Sequence, residues 1–162
     1  MSTFAKYFIS FLISMVPIVE LRGAVPIATA VDGFNLPYLP VLFVCVIGNM
    51  LPVPVIFFFA RKVLEWGKNK KYIGKFFTWC LKKGAKGGKE LKAKAGNSVY
   101  IALLLFVGIP IPGTGAWTGT LAASFLDLDF KKSVIAVMCG VILAGVIMTF
   151  ITLFGNSVAT MV

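Results

Sequence analysis

Three stretches of this chain, 33–60, 95–126 and 133–162, contain no charged residue. Each is longer than the roughly 18–20 apolar residues that span a bilayer, and a water-soluble core has no need of such runs. The charged fraction, 14%, falls well below the quarter that a soluble surface requires. The sequence therefore reads as an all-α integral membrane protein, a single transmembrane domain over 1–162.

Charge is concentrated between Arg61 and Lys94, which hold twelve of the 16 Lys and Arg against only Glu65 and Glu90. Flanked by apolar runs, this segment is expected in the cytoplasm, where Lys and Arg are retained, and the protein in the plasma membrane. Nucleic acid is not an expected partner. Trp66, Ile73, Phe76, Phe77 and Cys80 recur at helical spacing with lysines between them, which predicts a basic amphipathic helix on an anionic leaflet. Lys68, Lys71, Lys75 and Lys82 are its lipid-surface candidates. From Lys82 to Lys94 the glycines Gly84, Gly87 and Gly88 interrupt the pattern and predict a solvated loop.

The apolar runs are cut in telling places. Tyr7 to Val19 amounts to about 20 Å of helix, too short for a hydrocarbon core of about 30 Å. It meets Pro17, Glu20, Arg22, Gly23 and Pro26, then resumes as Ala24 to Val31. The run 95–126 is cut by Gly108-Ile109-Pro110-Ile111-Pro112-Gly113-Thr114-Gly115 into two arms of about 15 Å. Both patterns predict re-entrant hairpins, each followed by a crossing helix: 38–60, kinked by Pro52 and Pro54, and 133–154. A second hairpin that turns back keeps Lys131-Lys132 on the side of the basic segment; four full crossings, the rival topology, would put them outside.

Shifting the chain by 92 positions lays Gly23-Ala24 on Gly115-Ala116, Ala30 on Ala122 and Gly48 on Gly140. With one crossing between them, the second half (about 96–156) is the first (about 4–61) inverted, joined by the basic segment 62–95. Inverted repeats with broken helices are a common transporter architecture.

Glu20 and Arg22 are the ionisable groups placed at a break, where such groups face a cavity or each other. The functional reading gives Arg22 a bidentate hold on an anionic head group and makes Glu20 a proton or cation site, since a carboxylate removed from water binds a proton more readily. A structural ion pair, or snorkelling to the interface, is the plainer alternative. Opposite them, Pro110, Pro112, Gly113, Thr114, Gly115, Trp117 and Thr118 frame a turn whose second arm begins with free N–H groups that favour an anion. Trp117 fits a gate or an interfacial anchor. Asn49 fits the same cavity or an interhelical hydrogen bond. Asp127 and Asp129 are expected to be solvated.

The chain has no His, and Cys45, Cys80 and Cys139 lie far apart. No metal site, cofactor or enzymatic activity is expected, and the cysteines read as apolar packers. The start resembles a signal peptide, but Glu20, Arg22 and Pro26 do not suit the region before a cleavage site.

Over essentially its whole length, through Glu20-Leu21-Arg22-Gly23-Ala24-Val25-Pro26-Ile27 and Pro110-Ile111-Pro112-Gly113-Thr114-Gly115-Ala116-Trp117-Thr118-Gly119, the sequence resembles the small multidrug export protein family. More remotely, from Pro112-Gly113 through Phe125 and Phe130 to Gly140, it is similar to the DedA (VTT-domain) superfamily. That second resemblance implies opposed re-entrant hairpins and proton-linked movement of polyprenyl-phosphate or phospholipids. The arginines usual in that superfamily's second hairpin are replaced here by a stretch holding Thr114 and Trp117, which leaves Arg22 as the buried cation. The expected function is transport of an amphipathic anionic lipid or lipid-carrier phosphate with proton coupling. Alternatives are export of lipophilic cationic drugs and a non-transporting scaffold that binds anionic lipid. Expected partners are membrane lipids, the amphipathic substrate and a second copy of the chain.

Overall fold

The computed structural model describes residues 1–70, 74–111 and 113–159. Lys71 and Pro112, both expected at functional positions, lie outside the described residues, as does Ile73 of the expected apolar face. Eight helices and no strand are found among the described residues: α1 (Thr3–Met15), α2 (Glu20–Thr29), α3 (Tyr38–Met50), α4 (Pro52–Lys68), α5 (Gly74–Ala95), α6 (Ser98–Gly108), α7 (Ala116–Phe125) and α8 (Phe130–Ala159). The all-helical expectation holds.

Among the described residues two helices are long and apolar enough to cross a membrane: Tyr38–Lys68, which is α3 continued through α4, and Phe130–Ser157 within α8. Pro52 opens α4 at a position where its missing N–H costs least, and Leu51 keeps helical backbone angles (φ −60°, ψ −43°), so the proline pair does not end the first crossing. That helix runs past Arg61-Lys62 to Lys68 and takes Trp66 with it. The bent pair α5–α6 would count as a third span if it were one element, but it turns through 109°, and the lysines of α5 make a poor match to hydrocarbon.

The first break lies earlier than the sequence suggests. Pro17 drives Val16 into an extended conformation (φ −71°, ψ 129°) and ends α1. Glu20, Arg22, Gly23 and Pro26 are not in the break at all; they belong to α2. Pro26 sits inside that helix, where its missing N–H frees the carbonyl of Arg22. The second break, 109–115, falls where the sequence puts it, between arms of 11 and 10 residues.

In each half the first arm packs most closely on the crossing helix of its own half, α1 on α3 and α6 on α8, while the second arm reaches across to the other half, α2 to α8 and α7 to α4. A glycine permits each of the first contacts. A Cβ on Gly48 of α3 would stand 2.2 Å from the Ser14 hydroxyl and 2.7 Å from the Phe11 carbonyl oxygen of α1. One on Gly140 of α8 would stand 2.7 Å from the Leu104 oxygen and from Val107 of α6. The ends of each pair of arms are also brought together. Lys6 near the start of α1 donates to the Phe34 carbonyl beyond α2 (2.9 Å), and Tyr100 near the start of α6 accepts from the Asp129 N–H beyond α7 (3.2 Å).

The expected loop over 82–94 is helical: α5 runs unbroken from Gly74 to Ala95. Its glycines serve contact rather than flexibility. Cβ atoms on Gly84 and Gly88 would lie 2.0 and 1.7 Å from the carbonyl oxygens of Phe125 and Leu126, so only glycine lets α5 rest on the end of α7. Asp127, expected to be solvated, is exposed, and it also joins that corner by accepting from Arg61 of α4. Its carbonyl accepts from Lys92 of α5 (3.1 Å). Asp129 caps α8 by accepting from the Lys132 N–H (2.9 Å).

Candidate functional site

The two breaks meet. Glu20, 4% exposed, opens α2 and reaches the start of α7, where its carboxylate oxygens accept from the backbone N–H groups of Ala116 (3.2 Å) and Trp117 (3.0 Å). These are two of the donors that an α-helix leaves without internal partners, and the positive end of the helix dipole suits a carboxylate there. The carboxylate also lies against the Cα of Gly115; a Cβ at that position would be 2.2 Å from Oε2. Gly115 has φ +151°, a conformation that side chains rarely adopt.

Arg22 goes the other way. Nη1 donates to the carbonyls of Ile111 (2.6 Å) and Thr114, and Nη2 to those of Val107 (3.0 Å) and Ile109 (3.1 Å). A cation is thus set at the negative end of α6, its four Nη–H donors spread over carbonyls that the helix and turn leave free. Nε has no acceptor among the described residues. Among the described residues no ion pair joins Glu20 to Arg22. They stand two apart on α2, so they point in different directions, and each serves a different helix end of the second break.

Around this lock the other expected residues take distinct places. Thr114 turns its hydroxyl back onto the Ile109 and Ile111 carbonyls (3.0 and 2.9 Å), bracing the turn from within. Thr118 is exposed and its hydroxyl donates weakly to the Gly115 carbonyl (3.4 Å). Trp117 is half-buried, and its indole N–H donates to the carbonyl of Met15 at the end of α1 (3.2 Å). The second break is therefore tied to both sides of the first. Gly23, Pro110 and Gly113 line an open cavity of about 360 Å³ together with Ile18, Val19, Arg22, Ile111 and Met148. Asn49 is buried at 2% exposure and its Oδ1 has no hydrogen-bond partner among the described residues. It is not among the residues around that cavity.

A second, wholly apolar cavity of about 440 Å³ runs beside α4 and α7, between Ile56, Phe59, Val63, Trp117, Leu121 and Phe125. Lys68, Lys75 and Lys82 surround a third, with Lys70, Thr78 and Trp79, where α4 meets α5. No group of His, Cys, Asp and Glu able to hold a metal occurs among the described residues.

The carbonyls at 107–111 and the role of Met15 escape a reading of side chains, because main-chain partners leave no residue-type signal. The seat of α5 on α7 did leave one: Gly84 and Gly88 have the small-xxx-small spacing of close helix contacts.

A family model described as "putative small multi-drug export protein" matches residues 20–147. No curated protein and no solved structure matches the chain. The match begins at Glu20, the residue that opens α2 and caps α7.

Proposed function

The chain belongs to the small multidrug export protein family, and from that premise we propose that it is a proton-coupled carrier of amphipathic anions, a lipid phosphate being the substrate class that fits best. Membership supports a membrane transporter; the substrate and the coupling rest on the lock between the breaks.

One observation carries the reading. The start of α7 is an anion site, and the anion now in it is Glu20, held by the Ala116 and Trp117 N–H groups. A proton on Glu20 takes the place of one of those bonds and removes the charge that the helix end attracts. A phosphate arriving through the neighbouring cavity then replaces the carboxylate, and Arg22, its Nη donors on exchangeable carbonyls, turns to meet it. Loss of the proton reverses the exchange. Proton and anionic substrate are coupled because they compete for one arrangement of Glu20, while apolar tails stay in lipid.

The architecture that serves this exchange is a pair of opposed re-entrant hairpins, α1–α2 and α6–α7, in an inverted repeat. Three features support it. Each pair of arms has its outer ends together, the packing of the two halves is mirrored, and Gly48 and Gly140 seat equivalent arms. Arg22 also touches Thr114, its own counterpart 92 positions on, as residues beside a two-fold axis must. The basic segment would lie in the cytoplasm, with the cavity among Lys68, Lys75 and Lys82 facing anionic head groups.

Glu20→Gln is expected to leave the protein folded and to abolish the pH dependence of transport into vesicles; an unchanged pH profile would refute the coupling. The substrate class is tested by thermal stabilisation, since a ligand of the folded state raises its apparent stability. A polyprenyl phosphate should raise the unfolding temperature of the purified protein but not that of Arg22→Ala. A second reading, export of lipophilic cations, is favoured by the apolar cavity that ends at Trp117, whose ring face suits a cation and whose backbone N–H is held by Glu20. Stabilisation by tetraphenylphosphonium alone, persisting in Arg22→Ala, would replace the first reading with the second.

A further inference from the structure

Two cavities between α6 and α8 share Asn97, Tyr100 and Lys132 and so form one groove with two unlike ends. One part, about 310 Å³, is apolar and bounded by Ile101, Leu104, Ile135, Ala136 and Cys139. The other part, about 330 Å³, adds Lys92, Gly96 and Asp129. Each volume alone reaches the lower end of the range of about 300–1,000 Å³ typical of small-molecule sites.

The polar end is built. Lys132 donates from Nζ to Asn97 Oδ1 (3.2 Å) and stands 5.6 Å from the centre of the Tyr100 ring. Lys92 donates to the Asp127 carbonyl (3.1 Å). An ammonium carries three donors, so both lysines keep some for a ligand. Asp129 is the acidic group at this end, and its Oδ1 is engaged by the Lys132 backbone N–H. From Lys132 to Cys139 is about 10 Å along α8 at 1.5 Å per residue. The groove thus runs from a pair of cations at the start of a crossing helix down its lipid-facing side, where Ile101 and Ile135 are more than half exposed.

We propose that this groove holds one anionic phospholipid, its phosphate between Lys92 and Lys132 and an acyl chain lying along Ile101 and Ile135 to Cys139. The charge at one end and the apolar slot below it select that occupant over a free anion or a bare hydrocarbon. The site is separate from the lock at Glu20 and Arg22 and does not depend on what the protein carries.

The chain provides its own reporter: among its three cysteines Cys45 and Cys80 are buried and Cys139 is exposed. The full protein is reconstituted into phosphatidylcholine vesicles and into equal parts of phosphatidylcholine and phosphatidylglycerol, and alkylation of Cys139 by N-ethylmaleimide is followed by mass. Labelling is expected to slow several-fold in the anionic bilayer. The wild-type rate in phosphatidylcholine should return in the Lys92→Gln/Lys132→Gln variant, and inorganic phosphate should have no effect. Equal rates in the two bilayers, or slowing that survives loss of both lysines, overturn the proposal; protection by inorganic phosphate alone overturns it in favour of a free-anion site. Because Lys132 also braces Asn97, a second variant keeps the test open. Ile135→Trp fills the exposed slot and leaves the lysines in place. It should lose phospholipid that native mass spectrometry finds retained on the wild type, and retention at the wild-type level would likewise refute the site.

Discussion

The two breaks do the same mechanical job by opposite means. The first, 16–19, has no glycine; it turns through Pro17 and through Ile18 at φ 76°, and Glu20 enters α2 just beyond it at φ 50°, conformations unusual for residues with side chains. The second, 109–115, turns through Gly113 and Gly115 and carries no ionisable side chain. The helix that follows the first break, α2, delivers charges on side chains, and the second break offers helix ends made of backbone. The arms also differ. α1 and α2 pack closely on each other, whereas α6 and α7 touch little and lean instead on α8 and α4. The strained break is held by its own hairpin. The relaxed break is held chiefly by the charges of α2.

That contrast can be broken most severely at Gly115. Gly115→Ala puts a methyl group into the Glu20 carboxylate and demands a forbidden backbone angle, so a loss on the order of 3 kcal/mol is expected, from strain and a displaced charged acceptor together. Gly113→Ala, where a Cβ meets nothing within 4 Å, should cost only the left-handed conformation, about 1–2 kcal/mol. Thermal unfolding in detergent compares the two, and equal losses would mean that Glu20 is not what Gly115 accommodates. Next in size is Arg22→Gln. It removes charge-assisted bonds to four carbonyls, with an expected loss of about 2 kcal/mol. Amide hydrogen exchange should rise across 113–119 and stay level across α1; a uniform rise would show that Arg22 supports the whole fold rather than the second break. The smallest effect should come from Ile18→Gly. Ile18 is 95% exposed and holds a left-handed angle that glycine adopts freely, so a gain of about 1 kcal/mol is expected. A measured loss would show that the Ile18 side chain contributes more than its strain costs.

Much of the fold was legible because its causes are local. Uncharged runs, proline kinks and the Gly-Pro interruption at 108–115 each act within a few residues, and α3, α4, α6, α7 and α8 follow them. The first break was misplaced because Glu20 and Arg22 look like residues that disrupt a helix, when in fact Pro17 ends α1 and the two charges ride on α2. The loop expected at 82–94 became helix because the gain from seating Gly84 and Gly88 on Phe125 and Leu126 lies about 40 residues away along the chain, beyond what helix propensity registers. At the candidate site the partners of the expected residues were not visible in the sequence. Glu20 and Arg22 bind main-chain groups 85–97 positions distant, and a backbone N–H or carbonyl is present at almost every position of any sequence.

The seat of α5 on α7 bears on how the protein can move. α7 is a rod of ten residues with unlike fixings: the Glu20 carboxylate at its start, and at its end two glycines pressed against its last carbonyls, with Asp127 bound to α4 and α5 just beyond. Under the exchange proposed for Glu20, a rod mounted in this way would tilt about its seated end rather than slide. The fulcrum belongs to the lysine-rich helix, so the angle of swing and the lie of that helix are set together. Whatever fixes α5, whether a lipid surface or a neighbouring molecule, then also fixes how far the hairpin can tip.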